Sequence, residues 1–98
     1  MASFQPVLPG ITPEQALEIA KGAARTRQAA MTVHALQKMR ERNVHANDVR
    51  SAILTATTIT WRDDDESWRL EGGTDIDGDP LTVALTINGA QVRVVTVF

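Results

Sequence analysis

The chain has 98 residues, 43% of them hydrophobic and 22% charged, which fits one small domain and is too apolar for wholesale disorder. It holds no cysteine and no tyrosine, which excludes disulfide scaffolds, thiol catalysis, thiolate zinc sites and phenolic acid catalysis. Ten Lys and Arg against twelve Asp and Glu give a net charge of −2, without the basic excess of a dedicated nucleic-acid binder.

That average conceals a division. Residues 14–50 carry seven bases and four acids, net +3, whereas residues 51–98 carry three bases and eight acids, net −5. The basic half can meet a polyanion or an acidic partner, and the plainer reading is a solvated helical surface. No apolar run approaches the ~18 residues of a membrane span. The start Met1-Ala-Ser-Phe-Gln-Pro6 lacks a basic n-region and an apolar h-region. A cytoplasmic protein without a membrane partner is the default expectation.

In chain order, residues 1–11, with Pro6, Pro9 and Gly10, read as an extended arm. Thr12-Pro13-Glu14-Gln15 is a helix start: Thr12 can cap, Pro13 suits the first helical position, and Gln15 can close a capping box. Ala16, Leu17, Ile19, Ala20, Ala23 and Ala24 carry that helix to about residue 26. The pattern leaves residues 27–31 unassigned. A second helix is predicted from Val33 to Arg42 with Thr32 as its cap. Val33, Leu36, Arg40 and Val44 share its apolar face, with Met39 beside them. His34, Lys38, Glu41 and Arg42 fall on the flank and opposite side, and Asn43 suits a left-handed helix end. A short third helix over about 46–55 buries Val49, Ile53 and Leu54 or Ala52.

Beyond residue 56 the chain alternates like strands. Residues 57–62 and 67–71 flank the acidic turn 63–66, which places Trp61 opposite Trp68 and Ile59 opposite Leu70. Residues 81–87 and 90–97 flank Asn88-Gly89, a hairpin signal that pairs Leu85 with Val92 and Val83 with Val94. One sheet face then collects Ile59, Trp61, Trp68, Leu70, Leu81, Val83, Leu85, Val92 and Val94. The other collects the three bases of the acidic half, Arg62, Arg69 and Arg93, among threonines. The expected fold is α+β: residues 12–98 form one domain of two or three N-terminal helices on one face of a four-stranded antiparallel sheet.

Two motifs carry chemistry. Asp75-Ile-Asp77-Gly-Asp79 superficially suggests a calcium loop, but Pro80 and Thr86 occupy the positions that need glycine and glutamate, so it reads as a turn. His34, Lys38 and Arg42 step by four along the second helix and form one slanted ridge. An imidazole with two cations suits metal-independent RNA cleavage: one group moves a proton while the others hold charge on the phosphorane. Arg40, Arg62, Arg69 and Arg93 are further candidates for holding phosphate, bidentate recognition being the strength of arginine. No metal or cofactor is implied.

From His34-Ala-Leu-Gln-Lys-Met-Arg-Glu-Arg42-Asn-Val44 through Asp48-Val49 and Ile53-Leu54, and again at Gly73–Leu81 and Val94–Phe98, the sequence resembles a bacterial family of unknown function. The resemblance covers roughly residues 30–98. Its architecture is similar to the RelE-like and BrnT toxins, small metal-independent ribonucleases with helices before an antiparallel sheet. It implies that His34, Lys38 and Arg42 occupy the polar motif positions, with Lys38 where arginine is usual and Asn43 in place of glycine. Expected partners are RNA, and a cognate antitoxin or other protein. The alternative is a non-catalytic protein-interaction module of the same fold, docking through the basic helix face or through the apolar last strand Val92–Phe98. That strand would serve a homodimer if it lay at the sheet edge.

Overall fold

The computed structural model describes residues 10–98. The expected arm over 1–11 therefore lies outside the described residues, save the bend at Gly10 and Ile11. Helix α1 spans Pro13–Arg25 and opens with the expected capping box. Thr12 Oγ1 accepts from the Gln15 N–H at 3.1 Å, and Gln15 Oε1 accepts from the Thr12 N–H at 2.9 Å. Its buried residues are Ala16, Ala20, Ala23 and Ala24. Four methyl-sized side chains let its axis approach α3 and the sheet closely.

The helix ends on Arg27 in the left-handed region, φ 59°. The Gln28 N–H reaches back to Ala23 O and the Arg27 N–H to Ala24 O, the two bonds of a Schellman motif. The unassigned stretch then supplies a two-residue strand, β1 (Ala30–Met31), too short to leave a periodic signal. Helix α2 spans Val33–Glu41 with Thr32 as its cap, and α3 spans Ala46–Thr55. Between them Asn43 is left-handed, φ 54°, as expected. Here too the Val44 N–H bonds Met39 O and the Asn43 N–H bonds Arg40 O.

Four strands follow: β2 (Thr58–Arg62), β3 (Ser67–Glu71), β4 (Val83–Asn88) and β5 (Gln91–Val97). The fold is α+β, with the sheet corrected in two respects. It has five strands rather than four, in the order β1-β5-β4-β3-β2, and β1 pairs with β5 in parallel, so the sheet is mixed. As a result β5 is not an edge. The β1 pairing covers Arg93 and Val94, and the Thr32 N–H and hydroxyl reach Val94 O and Val95 O. The apolar last strand therefore lacks the open edge on which the expected homodimer depends; the antiparallel edge of the sheet is β2.

Register follows parity more faithfully than turn chemistry. Trp61 faces Trp68 and Ile59 faces Leu70, as predicted, and the two indoles meet edge to face with centroids 5.2 Å apart. The β4–β5 turn sits one residue later than the Asn-Gly signal, on Gly89 and Ala90, so Leu85 faces Val94 and Ile87 faces Val92. Gly89 alone takes positive φ, 64°, the requirement of a type II′ turn rather than I′. The slip shifts partners by two and leaves each side chain on its expected face. A bulge at Val95, where Leu85 faces Val94 but Ala84 faces Thr96, then reverses the parity and returns Val97 to the core.

The apolar face collects Trp68, Leu70, Leu81, Val83, Leu85, Val92, Val94 and Val97, packed under α1 and α3. In α3 the buried residues are Asp48, Val49, Ala52 and Ile53, so Ala52 takes the third apolar core position and Leu54 is only partly buried. Helix α2 departs further. It packs along β5, not over the sheet with the other two, and buries Ala35 and Met39. Of the predicted apolar face, Met39 is buried and Val44 packs partly against the core, while Val33 is 81% and Leu36 46% exposed. A small residue at the crossing, Ala35, brings the helix close to the strand, and that contact outweighs the larger apolar side chains elsewhere on its surface.

Candidate functional site

Thr32 sets the position of α2. Its N–H donates to Val94 O at 3.0 Å and its hydroxyl donates to Val95 O at 3.3 Å. The same hydroxyl accepts from the Ala35 N–H at 3.0 Å as the helix cap. His34 and Lys38 follow on the flank turned toward the outer sheet face. There they line an open groove of about 430 Å³, together with Arg69 from β3, Thr86 from β4, and Val95, Thr96 and Phe98. Asp65 and Ser67, from the β2–β3 turn and the start of β3, line it as well. The bulge is what allows both Val95 and Thr96 to border the groove.

Arg69 holds the centre. Its guanidinium carbon lies 4.5 Å from the centroid of the Phe98 ring, a stacking contact that fixes the planar group and shields one of its faces. Its Nε–H is buried without a hydrogen-bond partner, a costly arrangement that leaves donor capacity unused beside the groove. Lys38 Nζ lies 3.4 Å from Glu41 Oε1, an exposed pair of small energetic weight. His34 is exposed, and among the described residues no hydrogen bond reaches its ring. The groove thus combines a proton-transfer group, two cations, two threonine hydroxyls and one opposing carboxylate.

Three sequence-predicted residues, His34, Lys38 and Arg69, come together. The other four do not. Arg42 caps α2 at its C-terminus, with its N–H bonded to Lys38 O, and lies off the groove. Arg40 falls on the opposite flank of α2, beside Leu36 and Val44. Arg62 turns to Asp64, 3.8 Å away. Arg93 shares the outer face, opposite Thr86, and is exposed outside the groove. Sequence reasoning missed Asp65 and Phe98. Phe98 escapes because the bulge breaks the alternation that would have placed it, and Asp65 because a turn carries no facial period.

Two other features bear on the site. Asp75 Oδ1 accepts from the N–H groups of Asp77 and Asp79, both at 2.9 Å, so that loop closes on its own backbone as a turn. Among the described residues no group of three His, Asp or Glu side chains gathers as a metal-ligand set. A second crevice, about 120 Å³ between α1 and α3, is lined mainly by Ala23, Ala24, Ala29, Met31, Val49 and Ile53 and holds no proton-transfer group.

Among the described residues no helix is long and apolar enough to cross a membrane. No curated protein and no solved structure matches the chain. The family described as Domain of unknown function (DUF4258) matches residues 31–98, which run from the second residue of β1 through β5 and omit α1. That match covers more than two thirds of the chain and supports the expected family of unknown function, at that level and no finer. With helices α2 and α3 and strands β2 to β5 wholly inside the match, and Met31 of β1 at its start, the chain belongs to the DUF4258 family.

Proposed function

We propose that the groove between α2 and the outer sheet face binds single-stranded RNA and cleaves it without a metal, as a RelE/BrnT-like domain. One observation carries the reading: His34 and Lys38 from α2 meet Arg69 from β3 in a single concavity. Arg69 and Lys38 hold the non-bridging oxygens of the scissile phosphate, where negative charge grows as the phosphorane forms. His34 takes the 2′-hydroxyl proton as the 2′-oxygen attacks phosphorus. The bond to the 5′-oxygen breaks, and the proton returned to that oxygen leaves a cyclic phosphate and a free hydroxyl. Thr86 and Thr96 supply hydroxyls to the same backbone. The overall charge of −2 does not oppose this arrangement, because the basic half of the chain supplies one wall of the groove.

The test is incubation of the purified chain with single-stranded RNA in EDTA, beside His34→Ala, Arg69→Ala and Arg42→Ala. Cleavage survives chelation. It falls by about 10²-fold or more in His34→Ala, the usual scale for losing a general acid or base. Arg69→Ala weakens binding and cleavage together, while Arg42→Ala, off the groove, changes neither by more than about twofold, a surface charge being screened at physiological salt. Absence of cleavage by folded protein at high concentration overturns the catalytic reading.

A further inference from the structure

We propose that the flank of α2 carrying Val33, Leu36, Arg40 and Val44 is a docking face for an acidic amphipathic helix of a partner protein. The argument begins with what α2 leaves uncovered. Val33 is 81% and Leu36 46% exposed, on a helix whose core contacts are made by Ala35 and Met39. The two apolar side chains lie three residues apart, one turn of helix, and the half-buried Val44, packed on its inner side against the core, lines the same flank past the Schellman end. Leu36, Met39, Arg40, Val44, His45 and Ala46 line a shallow trough of about 310 Å³ at that end. Such a stripe of anchors beside a trough suits the apolar face of a second helix, read at spacings of three, four and seven.

Charge decides the kind of partner. Arg40 sits within the stripe and is exposed, and neither it nor the exposed Arg42 at the C-cap of α2 is ion-paired among the described residues. Carboxylates bordering a partner's apolar face would meet these guanidiniums and set its orientation. The chain's own acids do not complete the pattern. The turn 63–66 is acidic throughout and carries no apolar anchor, Glu14 and Glu18 flank Leu17 and Ile19, which already pack against the core, and the exposed Ile76 between Asp75 and Asp77 sits in a loop closed on its own backbone rather than on a helix.

At about 100° per residue, this stripe lies on one side of the Ala35–Met39 seam and the His34–Lys38 flank on the other. A docked helix therefore leaves the groove open, and this inference stands or falls independently of RNA cleavage.

The probe is a synthetic peptide of about 15 residues, long enough to be helical on contact, with Leu on one face and Glu on both borders. Its control carries Lys in place of Glu. Each is titrated into the full chain and followed by NMR, with Leu36→Asp, Arg40→Glu and His34→Ala as variants. Both Leu36 and Arg40 are exposed, so neither substitution disturbs the core. The expected result is saturable shifts confined to Val33, Leu36, Arg40 and Val44, with the Glu peptide bound at least about tenfold more tightly than the Lys peptide. Leu36→Asp and Arg40→Glu each weaken it about tenfold or more, and His34→Ala leaves it unchanged. Equal binding of the two peptides, shifts centred elsewhere, or no saturable shift overturns the proposal. So does self-association of the chain in sedimentation that Leu36→Asp abolishes, which assigns the face to a second copy.

Discussion

A Cβ added at Gly73 meets the Ala52 carbonyl in the backbone of α3, and backbone cannot turn aside as a flexible side chain can. Gly73 is buried, and its own carbonyl accepts from the Leu81 N–H at 3.0 Å. Gly73→Ala must therefore push the 73–80 loop away from α3. The expected cost is ~1–3 kcal/mol, read as a lower urea midpoint with an unchanged slope. Arg27 is the converse case. It holds φ 59° at the end of α1, a conformation that costs a side-chain-bearing residue ~1–2 kcal/mol and glycine almost nothing. Its side chain is exposed, so Arg27→Gly forfeits little packing. The same titration is expected to show a gain of ~0.5–1 kcal/mol, part of the relief being offset by the greater unfolded-state freedom of glycine. A loss would mean that the guanidinium stabilises the α1–α3 corner more than the backbone strain costs.

At the scale of elements, Thr32 carries more than its sequence role. Capping was legible from its place before Val33; the second function, holding α2 to β5 through Val94 O and Val95 O, was not. Thr32→Ala is expected to cost ~1–2 kcal/mol and to loosen the groove wall that bears His34 and Lys38. Hydrogen exchange should therefore accelerate in α2 before it does in α1. Helix limits, the Trp61–Trp68 pairing and the faces of the sheet were readable because they depend on caps and on alternation, which are local. Three features lay beyond local reading. The strand Ala30–Met31 is defined only by its partner Arg93 and Val94. The bulge at Val95 appears only when β4 is aligned with β5. The buried side of α2 depends on where the helix crosses β5, which its own periodicity does not contain. This last point also explains the mixed outcome at the site: the histidine–lysine flank was visible, whereas its meeting with Arg69 rather than Arg42 needed the tertiary crossing.

Across the whole molecule, one buried carboxylate ties the helical layer to the long loop before β4. Asp48 is 6% exposed. Its Oδ2 accepts from the His45 N–H at 2.9 Å and its Oδ1 from the Ile76 N–H at 3.2 Å, joining the start of α3 to the 73–80 segment. The His45 N–H bond lowers its pKa below the ordinary value of 3.8. Burial opposes that shift, and the Ile76 N–H and the charge of His45 reinforce it. The ionised form is therefore bound more favourably in the folded chain than in the unfolded one. Its contribution is complete above the ordinary carboxylate value and drains away as pH falls through 3.8 toward the lower folded value. Asp48→Asn keeps one acceptor oxygen but loses the charge and one of the two bonds. The variant should unfold at lower urea than the parent at pH 7, and the gap between them should narrow steadily below 3.8. An equal gap at pH 7 and at pH 3 would assign the effect to lost packing instead. Because Asp48 is remote from the groove, RNA cleavage at pH 7 by the folded fraction of this variant should match the parent, separating the strut that holds the domain together from the side chains proposed to act on the substrate.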